Sequence, residues 1–287
     1  MDRNDIRKVL AKDAKLYIFD MDGTLINSKR EVPQKSLEIL NKLIEEGVNF
    51  TVATARTPAT AVEILQNLNL KLPVALMNGV LIYDTKELKY IDIKGIEKSA
   101  ANKVLDIFNS HNKNPLVYGV KENHLWVYHK EFENVYEYNF YKERADKKLK
   151  TFVKVEDYNE SILNSNIINF VAFDNYEKIK TIAEEIECIE GITVNYYQDV
   201  YEDCYFLEAY SSEASKANGI KYLSKYINYS KVICFGDNLN DIPMFELADE
   251  AYATSNAAEA IKKMAKEVIG SCEEDGVAEF LENRFKK

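Results

Sequence analysis

Apolar runs of strand length, each ending in polar residues and each followed by a helix-like stretch, recur at both ends of this chain, and that alternation restricts its fold most. The first run, Leu16-Tyr17-Ile18-Phe19, carries no charged residue on either face, as a strand buried in a parallel sheet does. It stops at Asp20-Met21-Asp22-Gly23-Thr24-Leu25. Residues 33–46 then place Leu37, Leu40, Leu43 and Ile44 on a helical stripe between Pro33 at the start and Gly47 past the end. Residues 48–53 read as a second strand ending at Thr54-Ala55-Arg56, and Thr57-Pro58 opens a helix to about Leu68. A third strand at 74–77 runs into Asn78-Gly79. Strand, helix, strand, helix, strand predicts a parallel sheet with right-handed crossovers.

After Asp84 the rhythm changes. A helix near 97–109 precedes two short strands at 116–120 and 124–129, and a helix near 176–187 precedes two more at 192–198 and 204–210. This helix, strand, strand pattern occurs twice without sequence identity between the copies, and it predicts an α+β domain with an antiparallel sheet. Twelve of the 19 tyrosines fall between Asp84 and Ala209, as amphipathic strand faces in a Tyr-rich chain would place them. From Ser211 the first rhythm returns. A helix at 216–226 leads to Val232-Ile233-Cys234-Phe235 and then Gly236-Asp237-Asn238-Leu239-Asn240-Asp241. Ala251-Tyr252-Ala253, a helix at 257–265, Val268-Ile269 and a helix from Gly276 follow. The expected architecture is α/β: a doubly wound parallel, Rossmann-like core of residues 1–83 and 210–287, with an inserted α+β cap at 84–209.

At 287 residues and 46% apolar content the chain can bury real cores. Its four cysteines show no Cys-x-x-Cys spacing and Cys234 lies in an apolar run, so buried, reduced thiols in a cytoplasmic protein are expected. A charged N-terminus with no apolar segment behind it, and no long uninterrupted apolar stretch, speak against export and membrane spanning. A net charge of −10 disfavours nucleic acid as a partner, so an anionic small-molecule substrate needs a local cation. His124 and His129 are five apart on a predicted strand, hence on opposite faces, and His111 sits at a helix end, so no histidine metal site is expected.

Three predicted strand ends bring polar groups to one edge of the parallel sheet, where ligands of open α/β sheets bind. They are Asp20 with Asp22, Thr54 with Arg56, and Asp237 with Asn240 and Asp241. Each alone is also an ordinary strand-to-turn junction, but repetition at successive strands favours a site. Carboxylates from two strand ends are hard oxygen donors suited to Mg²⁺. Lys216 is the nearest candidate cation, although a lysine opening a helix is usually solvated.

These motifs resemble the haloacid dehalogenase superfamily, specifically its Cof-type sugar-phosphatase branch with a type IIB cap, along nearly the whole chain. The resemblance rests on Asp20-Met21-Asp22-Gly23-Thr24-Leu25, Thr54-Ala55-Arg56, Ser215-Lys216 and Gly236-Asp237-Asn238-Leu239-Asn240-Asp241, in that order. Asn78-Gly79, Asn256-Ala257 and Glu274-Asp275-Gly276-Val277-Ala278 also look like this branch. The resemblance implies that Asp20 is a nucleophile forming an aspartyl-phosphate and that Asp22 is the general acid and base. It implies Mg²⁺ held by Asp20, the Asp22 main-chain carbonyl and Asp237, with Asp241 supporting metal and lysine from behind. Thr54, the Ala55 amide, Arg56, Lys216 and Asn240 are the implied phosphate-binding groups. The chain departs from the family pattern at Ala55 and Ala217, where glycine is usual, and at Thr254-Ser255, where Met-Gly is commoner. The implied substrate is a small cytosolic phosphate ester, sugar phosphates foremost. A pyridoxal phosphate or other cofactor phosphatase and a phosphotransferase or phosphosugar mutase are the alternatives. A phosphorylatable signalling module and a non-catalytic binding protein fit the motifs less well, and oligomeric state stays open.

Overall fold

The computed structural model describes residues 15–198, 204–223, 225 and 228–286, and there the alternation becomes a definite series of elements. The first stretch runs β1 (Lys15–Phe19), α1 (Gln34–Glu45), β2 (Asn49–Val52), α2 (Pro58–Leu65), β3 (Val74–Leu76), β4 (Leu81–Asp84) and β5 (Lys89–Ile93). Next come α3 (Lys98–Ser110), β6 (Leu116–Lys121), β7 (His124–His129), α4 (Val135–Lys142), β8 (Lys150–Lys154), α5 (Asn159–Asn164), β9 (Asn166–Asp174), α6 (Tyr176–Glu187), β10 (Ile192–Gln198) and β11 (Tyr205–Ser211). The last stretch runs α7 (Lys216–Leu223), β12 (Lys231–Gly236), α8 (Ile242–Leu247), β13 (Glu250–Thr254), α9 (Glu259–Met264), β14 (Glu267–Ile269) and α10 (Gly276–Phe285). Contacts divide the chain into two units, one of residues through Asp92 with those from Ser215 onward, the other Ile93–Ala214.

The first unit is built on a five-stranded sheet in the order β14-β13-β12-β1-β2, parallel throughout. On one face of β1, Leu16 and Ile18 join a core with Ile220, Leu223 and Met244. On the other, Tyr17 and Phe19 join Phe50, Phe235 and Phe285 at ring separations of 5.2–5.7 Å. Full burial of each such side chain contributes about 1.5–3 kcal/mol, and a strand covered on both faces has no room for a charge. This sheet, wound by helices on both faces, is the expected α/β class.

The third predicted strand is corrected. β3 joins the parallel sheet only through a bridge between Ala53 and Ala75 and the bond from the Thr54 amide to the Ala75 carbonyl, 2.9 Å. It pairs instead antiparallel with β4, in a small sheet ordered β3-β4-β5 that the sequence reading lacks. The cause is local: Met77, Asn78 and Gly79 all take positive φ (50°, 53° and 86°), which reverses the chain. α2 ends at Leu65, short of Leu68. α7 is described to Leu223, and the remainder of the helix expected to 226 includes residues outside the described ones.

The second unit carries a six-stranded sheet ordered β10-β11-β9-β6-β7-β8. Its pairs are antiparallel except β7 with β8, a correction to the all-antiparallel expectation. α4 lies between those two strands in sequence, and a crossover of that length permits parallel pairing. One face packs against α3 and α6 through Val117, Phe170 and Leu207 against Val104, Phe108, Ile182 and Ile186. On the other face Phe140 of α4 meets Phe173 at 4.9 Å and Phe206 at 6.2 Å. The segment 130–174 is unassigned in the sequence reading, yet it supplies α4, β8, α5 and β9, the last lying between β6 and β11.

The cysteines form no disulfide among the described residues. Cys204, Cys234 and Cys272 are buried, but Cys188, at the end of α6, is exposed, which corrects the expectation that all are buried. His111 pairs with Glu185, His124 with Thr151, and His129 with the Lys130 carbonyl. No helix among the described residues is long and apolar enough to cross a membrane.

Candidate active site

The end of β1 places Asp20 beside the end of β12: the Asp20 amide bonds the Phe235 carbonyl at 2.9 Å, and the Ala53 amide bonds the Phe19 carbonyl at 2.9 Å. Asp20 is only 5% exposed. Its Oδ1 accepts from Lys216 Nζ at 2.5 Å, and the same ammonium donates to Asp241 Oδ1 at 2.6 Å. Lys216 and Asp241 are fully buried side chains. The lysine that opens α7 is therefore not solvated; it is the cation between two carboxylates. Asp241 also closes the turn after β12, where its Oδ2 accepts from the amides of Asp237 at 2.9 Å and Asn238 at 3.1 Å. Both of its oxygens are thus committed. Thr24 donates to Asp237 Oδ1 at 3.2 Å, so the turn after β1 and the turn after β12 are tied side chain to side chain.

Two glycines permit this closeness. Gly23 has φ +75°, and a Cβ there would stand 2.2 Å from Asp237 Oδ2. Its carbonyl is held by Thr254 Oγ1 at 3.1 Å and Asn256 Nδ2 at 2.8 Å. Gly79 has φ +86°, and a Cβ there would stand 2.1 Å from the Ser215 carbonyl oxygen, next to Lys216.

Carboxylate oxygens of Asp20, Asp237 and Asp241 can all lie within 4.8 Å of one another. Burial and the like charges hold the Asp20 carboxyl well above the ordinary range, against the pull of Lys216. Burial and Asp241 push Asp237 up to about 6. Burial works against the Lys216 charge, but Asp20 and Asp241 outweigh it and raise the ammonium above its usual value. Hard oxygen donors crowded until they resist ionisation are what a divalent cation relieves, so the donor set fits Mg²⁺.

The other residues singled out in the sequence sit as separate groups. Asp22 directs its carboxylate at Arg56, which donates from Nε at 2.8 Å and Nη2 at 2.6 Å. Thr54 is buried and its Oγ1 accepts from the Arg56 amide at 3.2 Å; Ala55 between them is exposed. Asn240 is exposed and its Nδ2 lies 3.4 Å from Asn78 Oδ1. Ala217 is buried behind Lys216. Thr24, Thr254 and Asn256 have positioning roles that the sequence reading does not assign. Their signals in the sequence are the family-like motifs that hold Thr24 and Asn256 and the departure from the family pattern at Thr254.

Comparison with known proteins bears on this geometry. A family model described as haloacid dehalogenase-like hydrolase matches residues 17–281. A putative phosphatase of Buchnera aphidicola is 29% identical over 278 residues, covering 93% of this chain and 94% of its own. The pyridoxal phosphate phosphatase YbhA of Escherichia coli is 24% identical over 274 residues, with 93% and 97% covered. A solved haloacid dehalogenase-like hydrolase from Bacteroides thetaiotaomicron superposes with a TM-score of 0.77 at 22% identity, covering 94% of this chain and 99% of that one. A solved subclass IIB sugar phosphatase, BT4131, superposes at 0.72 and 22% identity, with 94% and 98% covered.

Proposed function

The chain belongs to the haloacid dehalogenase-like hydrolases, and from that premise we propose that it is a cytoplasmic, Mg²⁺-dependent phosphatase of small phosphate monoesters, with sugar phosphates as its main substrates. One observation carries this reading: the buried bonded series Asp20, Lys216, Asp241, with Asp237 in the same cluster. A solvated turn would have no reason to bury two carboxylates around one ammonium, with a third carboxylate beside them. With Asp241 committed, Asp20, Asp237 and the Asp22 main-chain carbonyl would hold Mg²⁺. When bound, the metal supplies positive charge that offsets repulsion between a phosphate dianion and the Asp20 carboxylate.

The residues then divide the reaction. Asp20 attacks phosphorus, the bond from phosphorus to the ester oxygen breaks, and protonated Asp22 gives its proton to the departing alcohol. Water attacks the aspartyl-phosphate, Asp22 takes the proton back, and inorganic phosphate leaves with Asp20 restored. Lys216 keeps Asp20 oriented, while Thr54, the Ala55 amide and Asn240 hold phosphoryl oxygens. Arg56 uses two of its five N–H donors on Asp22, which leaves the others for a phosphoryl oxygen. We assign the choice of ester to the inserted cap, bounded at 84–209 in the sequence. Free thiols, one of them exposed, support a reducing compartment.

The test is phosphate release from a panel of sugar, nucleotide and cofactor phosphates, with Mg²⁺ and with chelator, using Asp20→Asn as the blank. Release that needs Mg²⁺ and disappears in the variant supports the reading; release that survives in the variant removes the covalent step. A cofactor phosphatase is the second reading, favoured by the likeness to the pyridoxal phosphate enzyme. Pyridoxal phosphate outranking every sugar phosphate in the panel would select it. Transfer of the phosphoryl group to a second sugar, dependent on a bisphosphate activator, would select a phosphotransferase or mutase instead.

A further inference from the structure

The sheet of the second unit ends at β10, with no strand beyond it among the described residues. An open edge offers its unpaired amides and carbonyls to any strand that meets it, and proteins guard such edges with charge, proline, a bulge or brevity. β14, an edge of the other unit's sheet, is three residues long, and β8, at the far side of the second unit's sheet, ends in Lys154, exposed and paired with Glu131. β10 has none of these guards. Its seven residues, Ile192-Thr193-Val194-Asn195-Tyr196-Tyr197-Gln198, hold no charge and no proline, and they pair with β11 in unbroken register.

The ladder to β11 fixes which main-chain groups face outward. The Ser212 amide donates to the Gly191 carbonyl at 2.9 Å, so by alternation Thr193, Asn195 and Tyr197 form the hydrogen-bonded pairs with β11. Val194, Tyr196 and Gln198 therefore direct both amide and carbonyl away from it. Their side chains alternate too: Val194 and Tyr196 lean on the helix-covered core, and Thr193, Asn195 and Tyr197 lie on the other face. Aromatic rings flank the edge on both faces. Tyr176 of α6, 40% exposed, lies 6.5 Å from Tyr196 and 4.9 Å from Tyr205, while Tyr197, 52% exposed, lies 5.2 Å from Phe206. A surface rich in tyrosine and free of charge has the composition of an interface centre.

We propose that β10 is a homodimer interface, at which the same strand of a second copy adds antiparallel about a two-fold axis through Asn195. In that register Val194 stands opposite the partner's Tyr196, Thr193 opposite the partner's Tyr197, and Asn195 opposite the partner's Asn195. Val194 and Tyr196 both present outward amides and carbonyls, so they form the hydrogen-bonded pairs across the axis, and β-branched with aromatic residues is a favourable cross-strand combination. Each copy carries a net charge of −10, so two copies repel in general and can approach along a seam without charge. Seven strand residues extend about 24 Å and α6 adds a layer of about 10 Å behind them, so the seam buries roughly 1,000 Å² in total, where specific interfaces begin.

Sedimentation velocity of the full chain tests the proposal: the wild type is expected to pass from 33.0 kDa at nanomolar concentration to twice that mass by about 100 µM. Asn195→Lys sets like charges face to face on the axis and should raise the dissociation constant at least about tenfold, and mixing it with Asn195→Asp should restore the dimer. A wild type still monomeric at about 100 µM, or a dimer that Asn195→Lys leaves intact, would overturn the interface. If Asn195→Lys does not fold, Val194→Pro, which removes an outward amide and no bond to β11, carries the same comparison. Register is read by oxidative cross-linking in a Cys188→Ser background, which removes the exposed native thiol. Asn195→Cys brings two Cα atoms to about 4.5 Å, within disulfide reach, and should cross-link; Tyr197→Cys, about 14 Å from its copy, should not. Cross-linking of both, or of neither, would overturn the pairing.

Discussion

Replacing Lys216 by Met isolates the electrostatics at the end of β1. The lysine is a fully buried side chain, 2.5 Å from Asp20 and 2.6 Å from Asp241, and Met fills nearly the same volume without the charge. Two buried carboxylates then lose their common cation. Removing one partner of a buried ion pair costs about 3–5 kcal/mol, against roughly 5–15 kcal/mol for a whole protein. At about 2–4 °C per kcal/mol for 150–250 residues, the melting temperature should fall on the order of 10 °C, read by scanning calorimetry of metal-free protein near pH 7.5. The sign of the pH dependence follows from Asp20. Its folded carboxyl already lies above the ordinary range and rises further without Lys216. Such a group costs stability when ionised, so the deficit should grow as pH rises through the folded value and shrink on acidification. Adding Asp241→Leu should recover part of the loss, because one uncompensated charge goes with it. A fall under about 2 °C, or a deficit indifferent to acid, would refute the reasoning.

Four other outcomes are expected. Asp20→Asn should leave the chain folded, because Asp241 still neutralises Lys216, while phosphate release from every ester disappears, since an amide is a poor nucleophile. Gly23→Ala, which drives a methyl toward Asp237 Oδ2 at a φ of +75°, should raise the Mg²⁺ concentration for half-maximal activity at least about tenfold; unchanged Mg²⁺ titrations would separate Asp237 from the metal. The Asp237 carboxyl, pushed up to about 6, lies above its unfolded value, so metal-free protein should lose stability as pH rises from about 4 through 6, and saturating Mg²⁺ should cancel that loss. Asp275 Oδ1 accepts from the Ser36 amide at 3.1 Å and its hydroxyl at 2.6 Å, so Asp275→Ala should cost about 1 kcal/mol, as lost helix caps do, and leave kcat unaltered in steady-state assays.

Much of the fold is legible in local pattern. β1 announces itself because a strand covered on both faces must be apolar at every position, and α6 because Ile179, Ile182, Ala183 and Ile186 repeat at helical spacing behind the Asn175 cap. The polar motifs are equally visible, since each interrupts an apolar run at its end. What stays hidden is partnership. β9 reads poorly because Asn166 and Asn169 break its apolar run, and its place in the sheet depends on β6 and β11, distant in the chain. β3 points the sequence reading to the parallel sheet, but three successive positive φ values fold it back on β4. Lys216 looks solvated in one dimension, and only the approach of residues 196 and 25 positions away makes it the buried cation of Asp20 and Asp241. Arg56 is likewise claimed by Asp22, 34 positions off. Periodicity along a chain reports which face of an element is buried, so composition and spacing determine the elements and the polar edge. The distances that set charge and proton affinity arise between segments far apart in sequence, and only tertiary packing brings those together.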